Sequence, residues 1–171
     1  MKVLMIAAHA AGLTIGTGDR IPWDLPRDRE HFRRHAAGKA LLIGRRTFEE
    51  MLGWFEDAHL PIVLTRDPKY RHARAAAAVP DLPAAIAVGL LRGCQQLLVC
   101  GGAATYHAAL PFADELILTE IAAAVEGPAK FPEIVPSQWS ITASQHFPAD
   151  DQNAHPMTIK TLARIRRTTS R

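Results

Sequence analysis

The sequence of 171 residues contains only two cysteines, Cys94 and Cys100, with five residues between them. This spacing matches no zinc-binding pattern, and a single pair makes no disulfide framework. The eight histidines are scattered along the chain, and we expect no metal site. Because Cys100 ends an apolar run, the default interpretation is a reduced thiol inside a cytoplasmic protein.

The sequence also lacks a tract of eighteen or more apolar residues, which excludes a membrane-spanning helix. The opening segment MKVLMIAAHAA resembles a secretion signal, but its apolar run, Val3 to Ala8, is too short for a signal core and ends at His9. We therefore interpret it as a buried first strand. No membrane partner is expected.

The charge imbalance is mild, at +3, and much of it lies in the final segment RIRRTTSR. A solvated terminus explains that segment better than contact with nucleic acid, so no nucleic-acid partner is expected. The chain contains no internal repeat and no obvious linker. One domain is predicted over residues 1–166, followed by a basic tail at residues 167–171.

Short apolar runs bounded by turns alternate with amphipathic stretches, a pattern that indicates an α/β fold. Two extended segments near the end have no helix between them and predict an antiparallel hairpin. The predicted strands are Val3–Ala8, Ala40–Ile43, Pro61–Thr65, Ala73–Val79, Gln96–Cys100, Glu115–Ile121, Trp139–Phe147 and Met157–Arg164. The predicted helices are Pro26–His35, Thr47–Phe55, Leu82–Leu91 and Ala104–Leu110.

The segment Gly12–Pro26, GLTIGTGDRIPWDLP, has three glycines and two prolines in fifteen residues, which predicts a long loop of special backbone geometry. It nevertheless carries Ile15, Ile21 and Trp23, which are costly to leave in water. Such a loop is either a binding loop or a loop packed over the core.

An acid follows this loop at the start of a predicted helix. Asp28 lies in the first turn, where the helix dipole favours a carboxylate even without a function. It is also four residues before Phe32, so both side chains project from one helix face. An acid beside an aromatic residue suits the wall of an apolar pocket, where burial raises the carboxyl pKa.

Two glycine turns each connect a predicted strand to a helix. The first is Gly44-Arg45-Arg46-Thr47 and the second is Gly101-Gly102-Ala103-Ala104. A glycine turn at a helix N-terminus directs backbone N–H groups towards phosphate. Arginine binds phosphate through two parallel N–H bonds, so these turns, with Arg66 after the third strand, predict a site for a pyrophosphate and a further phosphate.

The order of these motifs resembles the dihydrofolate reductases, from about Met1 to Arg166. The motifs are Ile15-Gly16, Pro22-Trp23-Asp24-Leu25-Pro26, Asp28, Phe32, Gly44-Arg45-Arg46-Thr47, Gly101-Gly102, Tyr106, Leu118-Thr119 and Phe131-Pro132. The resemblance implies a three-layer α/β fold with a mixed, mostly parallel eight-stranded sheet that ends in an antiparallel hairpin. It also implies a cis peptide bond between the paired glycines.

The same resemblance implies an activity in one-carbon metabolism, the NADPH-dependent reduction of dihydrofolate to tetrahydrofolate. NADPH is the implied cofactor. Asp28, Trp23 and Thr119 are implied catalytic residues. The implied substrate-binding residues are Ile6, Ala8, Asp28, Phe32, Arg33, Met51, Cys100, Tyr106 and Thr119. The implied cofactor-binding residues are Ala8, Ile15, Gly16, Gly44, Arg45, Arg46, Thr47, Leu64, Thr65, Arg66, Cys100, Gly101, Gly102, Ala103, Ala104, Thr105 and Tyr106.

One segment departs from the family pattern. Family members carry an arginine, before the strand that begins here at Pro61, that binds the α-carboxylate of the substrate's glutamate tail. This sequence has His59 near that position, and an uncharged imidazole does not form the same bidentate pair. Either Arg33 or another basic residue compensates, or the natural substrate lacks the glutamate.

Several alternatives stay open at the level of sequence. They are a reductase of another pterin, a reductase of a riboflavin-pathway aminopyrimidine, a non-catalytic protein that binds NADPH or pterin, and a structural domain. A titration with NADPH separates the enzyme, binding-protein and structural classes, because a structural domain does not bind NADPH and a binding protein does not oxidise it. The expected partner is a small-molecule substrate, and the expected state is a monomer.

Overall fold

The computed structural model describes residues 1–18 and 21–165 of the chain. The predicted basic tail, residues 167–171, lies outside the described residues. Ten strands are present in this part of the chain: β1 (Lys2–His9), β2 (Thr14–Gly16), β3 (Ala40–Gly44), β4 (Leu60–Leu64), β5 (Ala77–Val79), β6 (Gln96–Val99), β7 (Glu115–Ile121), β8 (Ala129–Lys130), β9 (Trp139–Phe147) and β10 (Met157–Arg164).

Eight of these strands form one sheet in the order β5-β4-β3-β6-β1-β7-β10-β9. The pairs from β5 to β7 are parallel, whereas β10 runs antiparallel to both β7 and β9. The predicted mixed sheet with a terminal hairpin is therefore confirmed. The predicted strand Ala73–Val79 is shorter than expected, because only Ala77–Val79 pairs at the edge of the sheet.

Four α-helices flank the sheet: α1 (Pro26–Ala36), α2 (Arg45–Glu50), α3 (Leu82–Leu91) and α4 (Ala103–Ala109). The predicted helix Thr47–Phe55 was wrong at both ends. It begins two residues earlier and ends at Glu50, before turns that contain Gly53, because glycine is a poor helix former. In the described part of the chain, none of the helices has the length and apolar character that crossing a membrane requires.

The core has two halves, one on each face of the sheet. Alternate residues of β1 point to opposite faces: Val3 and Met5 join the cluster that contains residues of α3 and α4, and Leu4 and Ile6 join the cluster beneath α1 and α2. Burial on both faces explains why β1 reads as a continuous apolar run. The result is the three-layer arrangement that the resemblance implied.

The loop Gly12–Pro26 contains a short strand that the sequence did not predict. Strand β2 pairs antiparallel with β8. The Lys130 ammonium donates to the Thr14 hydroxyl at 2.6 Å, which ties the two strands together. A Cβ atom at Gly127 would overlap the carbonyl oxygen of Gly16. The first part of this loop is therefore held against residues 127–131 at close range.

The N-terminus of α1 is satisfied by a residue far away in the sequence. Its N-cap residue, Leu25, makes no capping hydrogen bond through its side chain. Instead, the side-chain oxygen of Asn153 accepts from the backbone N–H of Arg27 at 3.0 Å, and the Asn153 amide donates to Asp150 at 2.8 Å. The hairpin loop between β9 and β10 thus fixes the start of α1.

Two histidines lie one helical turn apart on α1, and their environment makes stability depend on pH. The rings of His31 and His35 are 4.5 Å apart. Burial, together with the nearby charges of His35 and Arg34, lowers the pKa of His31 from 6.5 to about 4. The unfolded chain therefore binds the proton more readily, so this contribution to stability is fully present above pH 6.5 and declines as the pH falls from 6.5 to about 4.

We therefore predict that His31→Gln makes the free energy of unfolding less dependent on pH between 6.5 and about 4, because the glutamine side chain does not titrate. Urea denaturation at a series of pH values measures this dependence. His107→Gln, at an exposed position of α4, is the matched control and keeps the dependence of the unchanged protein. An unaltered pH dependence in His31→Gln would contradict the prediction.

Candidate active site

A cleft of about 1710 Å³ opens where the parallel strands end. Its lining includes Ala8 of β1, Gly44 of β3, Leu64 of β4 and Cys100 just after β6. The carboxyl ends of strands in an open α/β sheet are the usual place for a ligand. The fold thus collects residues from distant parts of the sequence at one edge of the sheet.

Most of the predicted site residues meet in this cleft. Its lining contains Ile6, Ala8, Ile15, Gly16, Trp23, Asp28, Phe32, Gly44, Arg45, Arg46, Thr47, Met51, Leu64, Thr65, Arg66, Cys100, Gly101, Gly102, Ala103, Ala104, Thr105 and Tyr106. Two predicted residues are not part of that lining. Thr119 is buried behind it, and Arg33 lines a neighbouring cavity.

One end of the cleft joins an acid to apolar walls. Asp28 and Phe32 project from the same face of α1, as their spacing predicts, and both line the cleft. Met51 and Trp54 line the cleft from the segment after α2, and the Phe32 and Trp54 rings are 4.9 Å apart. This end suits a flat heterocycle that presents hydrogen-bonding groups to a carboxyl.

The Asp28 carboxyl faces the cleft and is otherwise enclosed by protein. Desolvation raises the pKa of Asp28, and a hydrogen bond with the Thr119 side chain partly offsets that rise. Thr119 lies on β7, opposite Ala8 of β1, and is 1% exposed. The carboxyl is therefore supported from behind by a hydroxyl that no solvent reaches.

Tyr106 and Cys100 both contribute to the lining of the cleft. The Tyr106 hydroxyl donates to the carbonyl oxygen of Ile6 at 2.6 Å, which ties α4 to β1. Burial raises the pKa of the Cys100 thiol, so it stays protonated and acts as part of an apolar surface. Both cysteines are free.

The other end of the cleft brings the two glycine turns together. The Gly44 N–H donates to the Gly101 carbonyl oxygen at 2.7 Å. A Cβ at Gly44 would lie 2.8 Å from the Thr105 hydroxyl, and one at Gly102 would lie 3.0 Å from the Thr47 hydroxyl. A side chain at either glycine would therefore require the facing threonine to move. The Gly101–Gly102 peptide bond is cis, as the resemblance implied.

Three arginines surround this pair of turns. Arg45, Arg46 and Arg66 all line the cleft. The Arg45 guanidinium is 3.8 Å from the Asp67 carboxylate, and both side chains are about half exposed. A bare glycine backbone flanked by guanidinium groups fits the phosphates of a dinucleotide. NADPH, the cofactor implied by the resemblance, is therefore compatible with the residues present.

The loop before α1 covers the middle of the cleft. Ile15, Gly16, Gly18 and Trp23 contribute to the lining. Trp23 also packs against the cluster that contains Leu25. The loop therefore forms a wall of the site and also takes part in the apolar packing. The sequence left open a binding loop or a loop packed over the core, and each description fits part of it.

A second cavity, of about 650 Å³, adjoins the first and was not predicted. Gly53 and Trp54 line both cavities, and Arg33 and His59 line the second. The wrong helix end at Phe55 obscured this feature. The available signal was Trp54, a large aromatic residue next to Gly53 that lines both cavities.

The described part of the chain has no group of three or more histidine, cysteine, aspartate or glutamate side chains that is arranged to hold a metal ion. The absence of a metal role stays an expectation.

Comparison with known proteins agrees with the geometry. The family model described as dihydrofolate reductase matches residues 2–164. A dihydrofolate reductase type 3 from Salmonella typhimurium is 37% identical over 166 residues, which are 97% of this chain and 100% of the relative. A dihydrofolate reductase from Neisseria gonorrhoeae is 37% identical over 139 residues, which are 81% of this chain and 84% of the relative.

A solved structure shares the fold over nearly the whole chain. It is the dihydrofolate reductase from Enterococcus faecalis complexed with NADP(H) and RAB-propyl, with a TM-score of 0.84 and 25% identity. The match covers 96% of this chain and 97% of that one. The chain belongs to the dihydrofolate reductase family.

Proposed function

We infer that the chain catalyses the NADPH-dependent reduction of 7,8-dihydrofolate to 5,6,7,8-tetrahydrofolate. Family membership supports this assignment. The main structural support is the desolvated carboxyl of Asp28, which is hydrogen-bonded to the Thr119 side chain. The cleft that contains it extends to the two glycine turns and the arginines beside them. That combination matches a pterin at one end and a phosphorylated dinucleotide at the other.

Asp28 is proposed to bind the pterin through its 2-amino group and the adjacent ring nitrogen. A carboxylate in an enclosed site attracts such donors more strongly than one in water, because the local dielectric is low. Thr119 orients the carboxyl from behind. Phe32 and Met51 flank the ring, and Ile6 and Ala8 form its floor. These roles bind and align the substrate.

The proposed cofactor site uses both glycine turns. Gly44–Thr47 and Gly102–Tyr106 hold the phosphates and the ribose, Arg45 and Arg66 face the 2′-phosphate, and Ile15 and Gly16 contact the carboxamide. Reduction at C6 of the pterin uses the hydride that the bound nicotinamide supplies. The protein contributes alignment and the exclusion of water.

Reduction also requires a proton at N5 of the pterin. Asp28 is proposed to polarise the bound ring and to favour its protonation, with water as the final donor. Trp23, on the loop above the cleft, limits the access of bulk water. The raised pKa of Asp28 means that its carboxyl takes up a proton more readily than that of an exposed aspartate, which suits this role.

We also propose that the enzyme works as a monomer in the cytoplasm. The acid, the apolar walls and both glycine turns that the proposed reaction needs are all supplied by this chain.

The assignment is tested by following NADPH oxidation by the purified protein with dihydrofolate. We expect steady turnover that depends on both compounds and yields tetrahydrofolate, identified by mass. Replacement of NADPH by NADH is expected to lower the rate, because the contact between the arginines and the 2′-phosphate is lost. NADPH binding without oxidation in the presence of dihydrofolate would reject the assignment.

Asp28→Asn is predicted to lower kcat/KM for dihydrofolate by about 10²–10⁴ while the fold is retained. The raised pKa means that the ionised carboxyl destabilises the fold at neutral pH relative to the protonated form. The neutral amide is therefore expected to keep or increase the free energy of unfolding there. The measurements are steady-state kinetics and urea denaturation of the same preparations.

The pH profile separates this role from simple loss of structure. In the unchanged enzyme, kcat/KM should fall as the pH rises through the ionisation of the site. In Asp28→Asn, the fall should move to lower pH, because the substrate must then carry its own proton. Near-normal turnover, or an unchanged profile, would remove Asp28 from the mechanism.

A further inference from the structure

An acid lies among the arginines at the cofactor end of the cleft. Asp67, in the turn that follows β4, lines the cleft together with Arg45, Arg46 and Arg66. Its carboxylate is 3.8 Å from the Arg45 guanidinium. Charges of the same sign repel at close range, so a carboxylate on this wall opposes the phosphate that the arginines attract.

The turn after β4 sets the position of the Asp67 carboxylate. Its Oδ1 accepts from the backbone N–H of Lys69 at 2.9 Å, an arrangement in which an aspartate stabilises its own turn. The Asp67 N–H donates to the Thr65 hydroxyl at 3.2 Å, and its carbonyl oxygen accepts from the Tyr70 N–H at 3.2 Å. The other carboxylate oxygen, Oδ2, is the one that faces Arg45.

Arg45 already has two partners in this structure. One is the Asp67 carboxylate, and the other is the ring of Tyr70, whose centroid is 5.8 Å from the guanidinium carbon. That distance is within the range of a cation–π contact. The Arg45 and Asp67 side chains are both about half exposed, so their ion pair is weak enough for a phosphate to displace. A phosphate that binds Arg45 must then lie close to the carboxylate.

This inference rests on the proposed function: we propose that Asp67 is a specificity-determining residue that lowers the preference of the enzyme for NADPH over NADH by opposing the 2′-phosphate at Arg45. The two cofactors differ only in that phosphate. NADH carries a neutral hydroxyl in its place, and a carboxylate can accept a hydrogen bond from a ribose hydroxyl. Asp67 therefore penalises NADPH alone.

The penalty is moderate in size. Exposed charges interact weakly in water, but a phosphate monoester carries about 1.5–2 negative charges at neutral pH. We expect removal of the Asp67 charge to raise kcat/KM for NADPH by about three- to tenfold, mainly through KM. Salt screens exposed charges, so this gain should shrink as the ionic strength rises.

The kinetic test compares NADPH with NADH in the reduction of dihydrofolate by Asp67→Asn. Asparagine keeps a side-chain oxygen that can accept from the Lys69 N–H, so the turn is retained while the charge is removed. The value of kcat/KM should rise by about three- to tenfold for NADPH and should not rise for NADH.

Asp151→Asn is the matched control. Asp151 is an exposed aspartate that lines neither cavity, and its replacement changes the net charge of the protein by the same amount. It should leave kcat/KM for both cofactors unaffected. Asp67→Ser, in which a hydroxyl can replace the carboxylate in the turn, should reproduce the selective gain of Asp67→Asn.

Binding is measured separately from turnover. Titration of the tryptophan fluorescence with each cofactor, in the absence of dihydrofolate, gives Kd for NADPH and for NADH. In Asp67→Asn, Kd for NADPH should fall by about three- to tenfold at low ionic strength, and by less as salt is added. Kd for NADH should not fall.

An unchanged or higher Kd for NADPH in both Asp67 variants would overturn the inference, as would an equal gain for the two cofactors or a gain as large in Asp151→Asn. In each of these cases, reduction of dihydrofolate with NADPH by the unchanged enzyme would still support the proposed function. If the unchanged protein neither binds NADPH nor reduces dihydrofolate, the proposed function fails and this inference fails with it.

Discussion

The hydrogen bond between Asp28 and Thr119 is the contact on which the rest of the site depends. It joins the first turn of α1 to a buried position of β7, and desolvation raises the pKa of the carboxyl that it supports. The start of α1 is held in turn by Asn153 from the terminal hairpin. The antiparallel end of the sheet therefore positions the acid, although none of its residues lines the cleft.

The two ends of the cleft use different physical means. At the pterin end, one polar contact is enclosed by apolar side chains, so binding depends on burial and orientation. At the cofactor end, glycines without side chains and three arginines line the cleft. The hydrogen bond from the Gly44 N–H to the Gly101 carbonyl oxygen fixes the two glycine turns against each other. Tyr106 links the two ends, because it follows the second turn and donates to Ile6 in the floor.

The features that were predicted correctly depend on local pattern. The apolar run of β1, the proline that starts α1, and the spacing of Asp28 and Phe32 each constrain structure within a few residues. The features that were missed depend on distant pairings. Strand β2 exists because residues 129–130 pair with it, and the capping role of Asn153 spans more than a hundred residues. The end of α2 was misjudged because helical spacing continues past Gly53 while the chain turns.

The central claim is that Asp28 is a carboxyl whose pKa is raised by enclosure and moderated by Thr119. The most direct test is a carbon-13 NMR titration of the Asp28 side-chain carboxyl in the unchanged protein and in Thr119→Val. The account predicts a pKa above the ordinary aspartate value of 3.8 in the unchanged protein, and a further rise once the hydroxyl is removed. An ordinary or lowered pKa, or a fall in Thr119→Val, would contradict it.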